Sequence, residues 1–375
     1  MEFMKLLHIV GNRPQFIKLS VLQGALERRA GSAAGSTGSL IVHTGQHYND
    51  NMSAVFFSEF GIPPPDFQLN INNLPHNEMI GTMLIGLDGI LASSRPDGVI
   101  VYGDTNSTLA GALAARKRNI PLVHVEAGIR TGNETMPEES NRYLTDRMAD
   151  LNFCCTYLGV SNLAAEGIAM GCDGKGVYNT GDVMLDGARL FGARALTSSR
   201  LAAGLFPDGA DFVLATIHRS ENVSDPSILR SIISALELIG DEMPVVFPAH
   251  PNTSRLLASL GSISPHIRLL PPLGYLDMLA LLQSSKYVIT DSGGLARESF
   301  FFQKPALVVM ESAFWPEIFQ HGPSLLAHAD RDSILERFGR LLVSEKHFET
   351  EIFGDGHAAE KMSQYIFERF GGVGI

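Results

Sequence analysis

Residues 6–18 have the sequence Leu6-Leu7-His8-Ile9-Val10-Gly11-Asn12-Arg13-Pro14-Gln15-Phe16-Ile17-Lys18, in which a short apolar run leads into a glycine turn and the start of a helix. Similar runs, each followed by turn residues, recur at 40–44, 99–103, 122–126, 152–155, 177–180, 212–217, 245–249, 267–270, 287–291 and 306–309. They are rich in Val, Ile and Leu and do not alternate strictly with polar residues. Such runs are typical of strands buried on both faces, as in a parallel sheet covered by helices.

The segments between these runs have helical patterns, for example at 108–118 and 276–284. Alternating strands and helices imply right-handed βαβ units. Because 375 residues exceed the length at which single cores stop growing, we predict an α/β protein with two Rossmann-like, doubly wound parallel-sheet domains that face a cleft. The first domain would comprise residues 1–185 and the second 186–355, and a C-terminal helix at 356–375 would pack back on the first.

The composition excludes several classes of protein. A formal net charge of −11 argues against a nucleic-acid partner. No apolar run approaches the ~20 residues that a membrane span needs, and the first residues do not resemble a signal peptide. We therefore expect a cytoplasmic protein with no membrane partner. The cysteines, Cys154, Cys155 and Cys172, are odd in number and lack CxxC spacing, which favours reduced thiols over a disulfide framework or a zinc site.

Candidate binding residues follow the first strand, because ligands of such sheets bind at the carboxyl ends of strands. Arg13 and Lys18 lie at a helix start, where backbone amides attract anions and arginine offers a bidentate fork. The segment suits a diphosphate, although two solvated helix-start residues would give the same pattern. It matches neither a Walker nor a GxGxxG loop.

Three acids can converge on the same edge of the first sheet. Asp104 and Glu126 end successive strand-like runs, and Glu138 follows ten residues later in Pro137-Glu138-Glu139. Asp104 could equally cap the next helix, whereas the small residues after Glu126 make a packing role harder to argue. Crowded carboxylates in a partly desolvated cleft raise one another's pKa, so that one can act as a base and another as an acid.

Two histidines occupy equivalent places in the second domain. His218 ends a strand beside Arg219 and Glu221, which favours a functional over a structural role for it. His250 follows the next strand in the same way.

The run at 287–291 leads into Ser292-Gly293-Gly294. Two glycines that open a helix let backbone amides approach a ligand, and Ser292 can cap that helix and touch a phosphate. Glu298, one turn further, could accept both hydroxyls of a ribose. Helix capping alone would explain the serine and the glycines but not this acid. The sequence has no metal-binding motif and no GxSxG elbow, so we expect acid–base chemistry without a metal or cofactor.

An ordered set of short motifs now becomes recognisable. It consists of Gly11-Asn12-Arg13-Pro14, Thr44-Gly45-Gln46-His47, Gly103-Asp104-Thr105, His124-Val125-Glu126-Ala127-Gly128, Pro137-Glu138-Glu139 with Asn141-Arg142, His218-Arg219 with Glu221, and Thr290-Asp291-Ser292-Gly293-Gly294. Each motif is weak by itself, but the ordered set, which runs from residue 6 to about residue 322, is highly specific. The chain resembles the non-hydrolysing UDP-N-acetylglucosamine 2-epimerase family.

This resemblance implies a glycosyltransferase-B-like fold in which the second domain holds most of the UDP. It also implies roles for the candidate residues. Arg13 and Ser292 would hold the diphosphate with support from Lys18, Glu298 would bind the ribose, and His218 would stabilise the leaving diphosphate; the catalytic acids and bases would be Asp104, Glu126 and Glu138. UDP would leave as a carboxylate removes the C2 proton, giving a 2-acetamidoglycal to which UDP and a proton return from the opposite face.

Two segments depart from the usual pattern of the family. Ala296-Arg297 replaces a glutamine and an acid or lysine before Glu298. In the loop 310–317, Glu311 stands where the family usually has an arginine, and the loop is one residue shorter. An acid there would repel a phosphate or a uronate.

Several alternatives remain open at this level. The N-terminal half is closest to a subgroup that acts on UDP-2,3-diacetamido-glucuronic acid, but the same motifs occur in UDP-N-acetylglucosamine enzymes. A hydrolysing 2-epimerase or a non-catalytic nucleotide-sugar binder would also fit, whereas a glycosyltransferase would not need the three acids. Family members are often homodimers that supply surface polysaccharide precursors, and we expect the same here.

Overall fold

The computed structural model describes residues 4–31, 38–46, 57, 59–171, 174–206, 208–249, 251–259 and 261–370. The described residues fall into two compact units, one drawn from Met1–Gly187 with Phe353–Ile375 and the other from Ala188–Ile352. The chain thus leaves the first unit after Gly187 and returns to it at Phe353. In this described part, no helix combines the length and the apolar content that crossing a bilayer demands.

The first unit is built on a seven-stranded sheet in which every pairing is parallel. Its strands are β1 (Leu6–Val10), β2 (Leu40–His43), β3 (Phe67–Gln68), β4 (Gly98–Tyr102), β5 (Leu122–Ala127), β6 (Leu151–Cys154) and β7 (Gly176–Asn179). Its helices are α1 (Arg13–Ala30), α2 (His76–Ser94), α3 (Asn106–Lys117), α4 (Pro137–Met148), α5 (Tyr157–Ala165) and the start of α6 (Val183–Ser198). The strand order β3-β2-β1-β4-β5-β6-β7 reverses direction between β1 and β4. Ligands of doubly wound sheets bind at such a switch point.

A glycine on α3 fixes how closely that helix approaches the sheet. A Cβ on Gly111 would lie 2.8 Å from Cδ1 of Ile9 and 3.0 Å from Cγ1 of Val101. Only a residue without a side chain leaves room for both contacts. The close approach holds the N-terminus of α3 beside the ends of β1 and β4.

The C-terminal helix α15 (Ala358–Phe370) belongs to the first unit, where it packs along α1. The carboxylate of Asp186 accepts the backbone N–H groups of Ala358 and Ala359 at 3.1 and 2.8 Å, and so caps the helix from α6. Burial raises the pKa of Asp186 to about 6, against the opposing effect of these two hydrogen bonds.

The second unit has a six-stranded parallel sheet of order β10-β9-β8-β11-β12-β13. Its strands are β8 (Val213–Thr216), β9 (Val245–Pro248), β10 (Ile267–Leu270), β11 (Tyr287–Thr290), β12 (Ala306–Val309) and β13 (Leu325–Ala327). Its helices are α7 (Leu201–Leu205), α8 (Ser220–Val223), α9 (Pro226–Glu242), α10 (Pro251–Ser259), α11 (Tyr275–Ser284), α12 (Gly293–Phe301), α13 (Glu317–Gln320) and α14 (Arg331–Val343), followed by the 3₁₀ helix Thr350–Phe353. Here the order reverses between β8 and β11.

The predicted α/β fold class is confirmed, and every predicted run lies in a strand. Two strands were missed, β3 and β13. Both are short and lie at a sheet edge, so neither needs the long apolar run on which the prediction depended.

Candidate active site

Three loops of the first unit meet at its switch point. A Cβ on Gly11 would lie 2.3 Å from Oγ of Ser107 and 2.5 Å from Oγ1 of Thr44, so only glycine fits after β1. The two hydroxyl groups are themselves hydrogen-bonded at 2.8 Å. This hydrogen bond joins the end of β2 to the start of α3, and the end of β1 packs against both hydroxyl groups.

Gln15 connects these loops, a role that the sequence did not predict. Its side-chain oxygen accepts the N–H of Gly11 at 2.6 Å, and its amide group donates to the carbonyl of Tyr102 at 2.7 Å. Asn12 caps α1 by accepting the N–H of Gln15. Arg13 is thereby presented, half-buried, at the N-terminus of α1, where the resemblance placed a diphosphate ligand.

Glu126 lies on a bulge of β5 with a backbone φ of 74°. Residues other than glycine rarely adopt this conformation, and such strain is concentrated at functional sites. Nζ of Lys18 lies 2.7 Å from Oε2 of Glu126, and the two side chains are 3% and 9% exposed. Lys18 is therefore the ion-pair partner of a candidate catalytic acid, a role that the sequence did not predict.

Glu126 also has a carboxylate neighbour. A carboxylate oxygen of Glu126, Sγ of Cys155 and a carboxylate oxygen of Asp182 all lie within 4.8 Å of one another, and all three residues are buried. The sequence predicted crowded acids at this edge of the sheet, and Asp182, which follows β7 and lies in no recognisable motif, is a further acid beside Glu126. Cys154 and Cys155 are buried and form no disulfide among the described residues, and Cys172 lies outside them.

Asp104 is bound by a buried arginine. Nη2 of Arg142 lies 2.5 Å from Oδ2 of Asp104, and Nη1 lies 2.5 Å from Oε2 of Glu139. Asp104 does not cap α3, because Thr105 takes that position and accepts the N–H of Thr108. The capping interpretation of Asp104 is therefore wrong.

Glu139 anchors the loop that precedes α4. It accepts hydrogen bonds from the backbone of Thr131 and Gly132 at 3.0 and 3.1 Å and is 1% exposed. Burial raises the pKa of Glu139, but hydrogen bonds from Gly132 and Thr131 and the charge of Arg142 lower it by more, so the net shift is downward. Glu139 is held as an anion with a structural role.

Glu138, the third predicted acid, lies half-buried in the first turn of α4, one residue before this anchor. It forms neither a hydrogen bond nor an ion pair with any residue that the structure describes. Of the three predicted acids, two are therefore paired with cations, and Glu138 has no such partner among the described residues.

His218 follows β8 in the second unit and is half exposed. Its Nδ1 lies 3.1 Å from Oδ1 of Asp291, a residue with no exposed surface. Asp291 also accepts the backbone N–H groups of His218 and Arg219 at 2.9 and 2.8 Å. Although burial raises the pKa of Asp291, these contacts with His218 and Arg219 lower it on balance. Asp291 therefore orients the imidazole through its contact with Nδ1.

The glycine-rich turn after β11 forms the N-terminus of α12. Ser292 caps this helix by accepting the N–H of Leu295 at 3.3 Å, as predicted. Phe314 covers the same turn, because a Cβ on Gly293 would lie 3.5 Å from its ring. Glu298 is 7% exposed and accepts a hydrogen bond from Tyr275 Oη at 2.7 Å. His250 lies outside the described residues, so its predicted role stays a prediction.

The two segments that depart from the family pattern lie in this unit. Arg297 is buried and stacks on Trp315, with 4.2 Å between the guanidinium carbon and the ring centroid. Glu311 is 79% exposed and pairs with His328 at 3.3 Å. The replacing acid thus faces solvent and lies beside His328.

Two Rossmann-like units, one with fixed acids at its strand ends and one with a glycine-rich helix N-terminus, define an enzyme of the glycosyltransferase-B-like class. The particular family follows from comparison with known proteins. Residues 31–367 match the family model for UDP-N-acetylglucosamine 2-epimerase. The chain belongs to this family and is an isomerase that acts on a UDP-sugar.

Individual relatives cover almost the whole chain. The UDP-2,3-diacetamido-2,3-dideoxy-D-glucuronate 2-epimerase of Pseudomonas aeruginosa is 43% identical over 97% of this chain and 99% of its own length. The crystal structure of Methanocaldococcus jannaschii UDP-GlcNAc 2-epimerase in complex with UDP-GlcNAc and UDP has a TM-score of 0.87 at 32% identity, covering 97% of this chain and 100% of the other. The enzyme of Neisseria meningitidis bound to UDP-GlcNAc gives 0.86 at 28% identity, with coverage of 97% and 100%.

Proposed function

We propose that this protein inverts C2 of a UDP-activated 2-acetamido sugar by eliminating and re-adding UDP. The observation that carries the proposal is the arrangement of acids in the first unit. Glu126 is held by Lys18 and Asp104 by Arg142, while Glu138 pairs with no cation in the part of the chain that the structure describes. Inversion needs proton transfer on both faces of C2, and therefore needs at least two differently placed acid–base groups.

The reaction balances without a cofactor. A carboxylate takes the C2 proton, the C2 electron pair forms the C1=C2 double bond, and the C1–O bond breaks to release UDP. Re-addition of the diphosphate oxygen to C1, with protonation of C2 from the other face, gives the epimer. We assign the proton transfers to Asp104, Glu126 and Glu138.

We assign the binding of UDP mainly to the second unit. The N-terminus of α12, with Ser292 as its cap, favours the negative charge of a diphosphate. His218, backed by Asp291, is suited to donate a hydrogen bond to the leaving group. Glu298 would accept the ribose hydroxyls, and Arg13 and His250 would add contacts to the diphosphate.

Two substrates follow from the relatives. The higher identity of the Pseudomonas aeruginosa relative favours UDP-2,3-diacetamido-2,3-dideoxy-D-glucuronate. Because Glu311 is 79% exposed, solvent screens its negative charge, which weakens the repulsion of a uronate. UDP-N-acetylglucosamine is the second candidate, as in the Methanocaldococcus jannaschii relative. A homodimer, a cytoplasmic location and a role in polysaccharide precursor synthesis remain predictions.

Proton NMR in deuterated water tests this function with either UDP-sugar. We expect deuterium at C2 and a mixture of the two C2 epimers, still attached to UDP, from at least one substrate. Release of free sugar and UDP would instead support a hydrolysing 2-epimerase. Binding without exchange on both sugars would refute the proposal in favour of a non-catalytic binder.

A further inference from the structure

A buried histidine on β5 contacts two acceptors at once. His124 lies two residues before Glu126 and has no exposed surface. Its Nδ1 is 2.7 Å from Oδ1 of Asp146, and its Nε2 is 2.7 Å from the carbonyl oxygen of Gly103. No part of this contact set enters the chemistry assigned above.

These contacts determine the charge of the ring. A carbonyl oxygen only accepts hydrogen bonds, so Nε2 must carry a proton. Asp146 accepts the N–H of Gly128 at 3.3 Å and lies 2.7 Å from Nη2 of Arg130, which holds it as a carboxylate. Nδ1 of His124 must then carry a proton as well. With a donor at both nitrogens, the ring is an imidazolium cation.

The charges around the ring are balanced. Arg130 bridges Asp146 and Glu166, with Nε of the arginine 2.7 Å from Oε1 of Glu166. Two cations and two anions therefore form a chain from the interior to the half-buried Glu166. A buried charge is tolerated only when it is paired and hydrogen-bonded in this way.

The chain of charges holds two unusual turns. The ring donates to Gly103, which has a φ of 63° and directly precedes Asp104. The carboxylate accepts the N–H of Gly128, which has a φ of 79° and follows the strained Glu126 by two residues. The backbone on either side of the two acids is thus tied to one ion pair.

We propose that the His124–Asp146 ion pair is a positioning device, in which an imidazole protonated at both nitrogens fixes the turns that carry Asp104 and Glu126. His124 does not touch the substrate and is a positioning residue only. The inference rests on the proposed function for its effect on rate, but the protonation state of the ring does not depend on that function.

The same sheet contains a matched control. His8 on β1 is also fully buried, and its Nδ1 is 2.7 Å from the hydroxyl of Tyr102. Its Nε2 has no hydrogen-bond partner among the described residues. Burial lowers the pKa of His8 to about 3, so this ring is neutral. Two buried histidines of one sheet are therefore expected in opposite charge states.

Nitrogen-15 NMR of the full-length protein with labelled histidine tests the charge directly. At pH 7, His124 should show two protonated ring nitrogens, and His8 should show one. Spectra of H124Q and H8Q assign the two signals by their disappearance. A single protonated nitrogen on His124 would overturn the inference and leave the proposed function untouched.

Kinetics tests the positioning role. Glutamine at 124 leaves Asp146 paired with Arg130, so the fold is expected to survive. H124Q should lower kcat about a hundredfold, the effect of a displacement of about 1 Å at reacting groups. Its affinity for UDP, measured by calorimetry, should stay unchanged, since UDP is assigned to the second unit. H8Q should keep the wild-type kcat and the wild-type affinity for UDP.

An H124Q variant with normal kcat, or an equal loss of kcat in H8Q, would contradict the proposal. Absence of C2 exchange in the wild type would instead refute the proposed function.

Discussion

The guanidinium of Arg142 lies 2.5 Å from the carboxylate of Asp104 and is itself only 2% exposed. Since its other nitrogen binds Glu139, the arginine ties the end of β4 to the first turn of α4. Both partners are carboxylates, so one planar side chain makes two charge-assisted contacts. Asp104 and the neighbour of Glu138 are thus held by a single residue, which makes Arg142 a determinant of how two candidate acids are placed.

Replacement of Arg142 by lysine should impair catalysis while keeping the charge. Lysine is a point charge and cannot hold two carboxylates in a fork. We expect kcat for C2 exchange to fall about a hundredfold, because Asp104 and Glu139, the neighbour of Glu138, lose their common support. The matched control is R147K on the exposed side of the same helix, which should keep the wild-type rate. Normal kcat in R142K would show that the fork is dispensable.

The pair of Lys18 and Glu126 makes a separate prediction about stability and rate. Removing one partner of a buried ion pair leaves an uncompensated charge and costs about 3–5 kcal/mol, so K18M should be strongly destabilised in urea unfolding. The double variant K18M/E126Q should recover much of this free energy of unfolding. It should not recover activity, because E126Q alone is expected to reduce C2 exchange by about 10²–10⁴-fold. Recovery of the rate in the double variant would exclude Glu126 as an acid–base group.

The positions of these acids could be predicted from the sequence, but their partners could not. Asp104 and Glu126 each end an apolar run, and the carboxyl ends of parallel strands meet at one edge, so the pattern was sufficient. Lys18 and Arg142 lie on helices far from those strands along the chain. Their pairing depends on how the helices pack, which no local pattern records.

Residues beyond the motifs show the same limit. Asp182 follows a strand with no recognisable motif, and its proximity to Glu126 exists only in the folded sheet. The direction of the Glu311 side chain likewise depends on the course of its loop. Substitution of an arginine by an acid predicted repulsion, yet the side chain turns to His328 instead.

Asp291 should determine the position of the His218 ring. Its carboxylate lies 3.1 Å from Nδ1 of His218 and accepts the backbone N–H groups of His218 and Arg219, so D291N should disturb the loop that presents the ring. We expect a lower kcat for C2 exchange, because a displaced ring stabilises the departing diphosphate less well. E221Q serves as control, because Glu221 is an exposed acid beside the same loop. Wild-type kcat in D291N would separate His218 from the leaving group.

The stability of the protein should fall when the pH drops from about 6.5 towards 4. Burial lowers the pKa of His8 to about 3 and that of His43 to about 4, from 6.5 in the unfolded chain. In that pH window both histidines are protonated in the unfolded chain and neutral in the folded protein. Lowering the pH therefore reduces the free energy of unfolding by about 1.4 kcal/mol per pH unit for each histidine. Asp186 acts in the opposite sense between about 6 and 3.8, because its pKa is raised in the folded state. One such acid offsets only part of the effect of two histidines.

Urea unfolding at pH 7, 6 and 5 measures this dependence, and H8Q isolates one contribution. The variant lacks the titrating ring. Its free energy of unfolding should therefore fall less between pH 7 and pH 5 than that of the wild type. A constant difference in unfolding free energy between the two proteins would mean that His8 takes up protons to the same extent in the folded and unfolded states. That result would contradict its neutral state in the sheet and remove it as the reference for the charged His124.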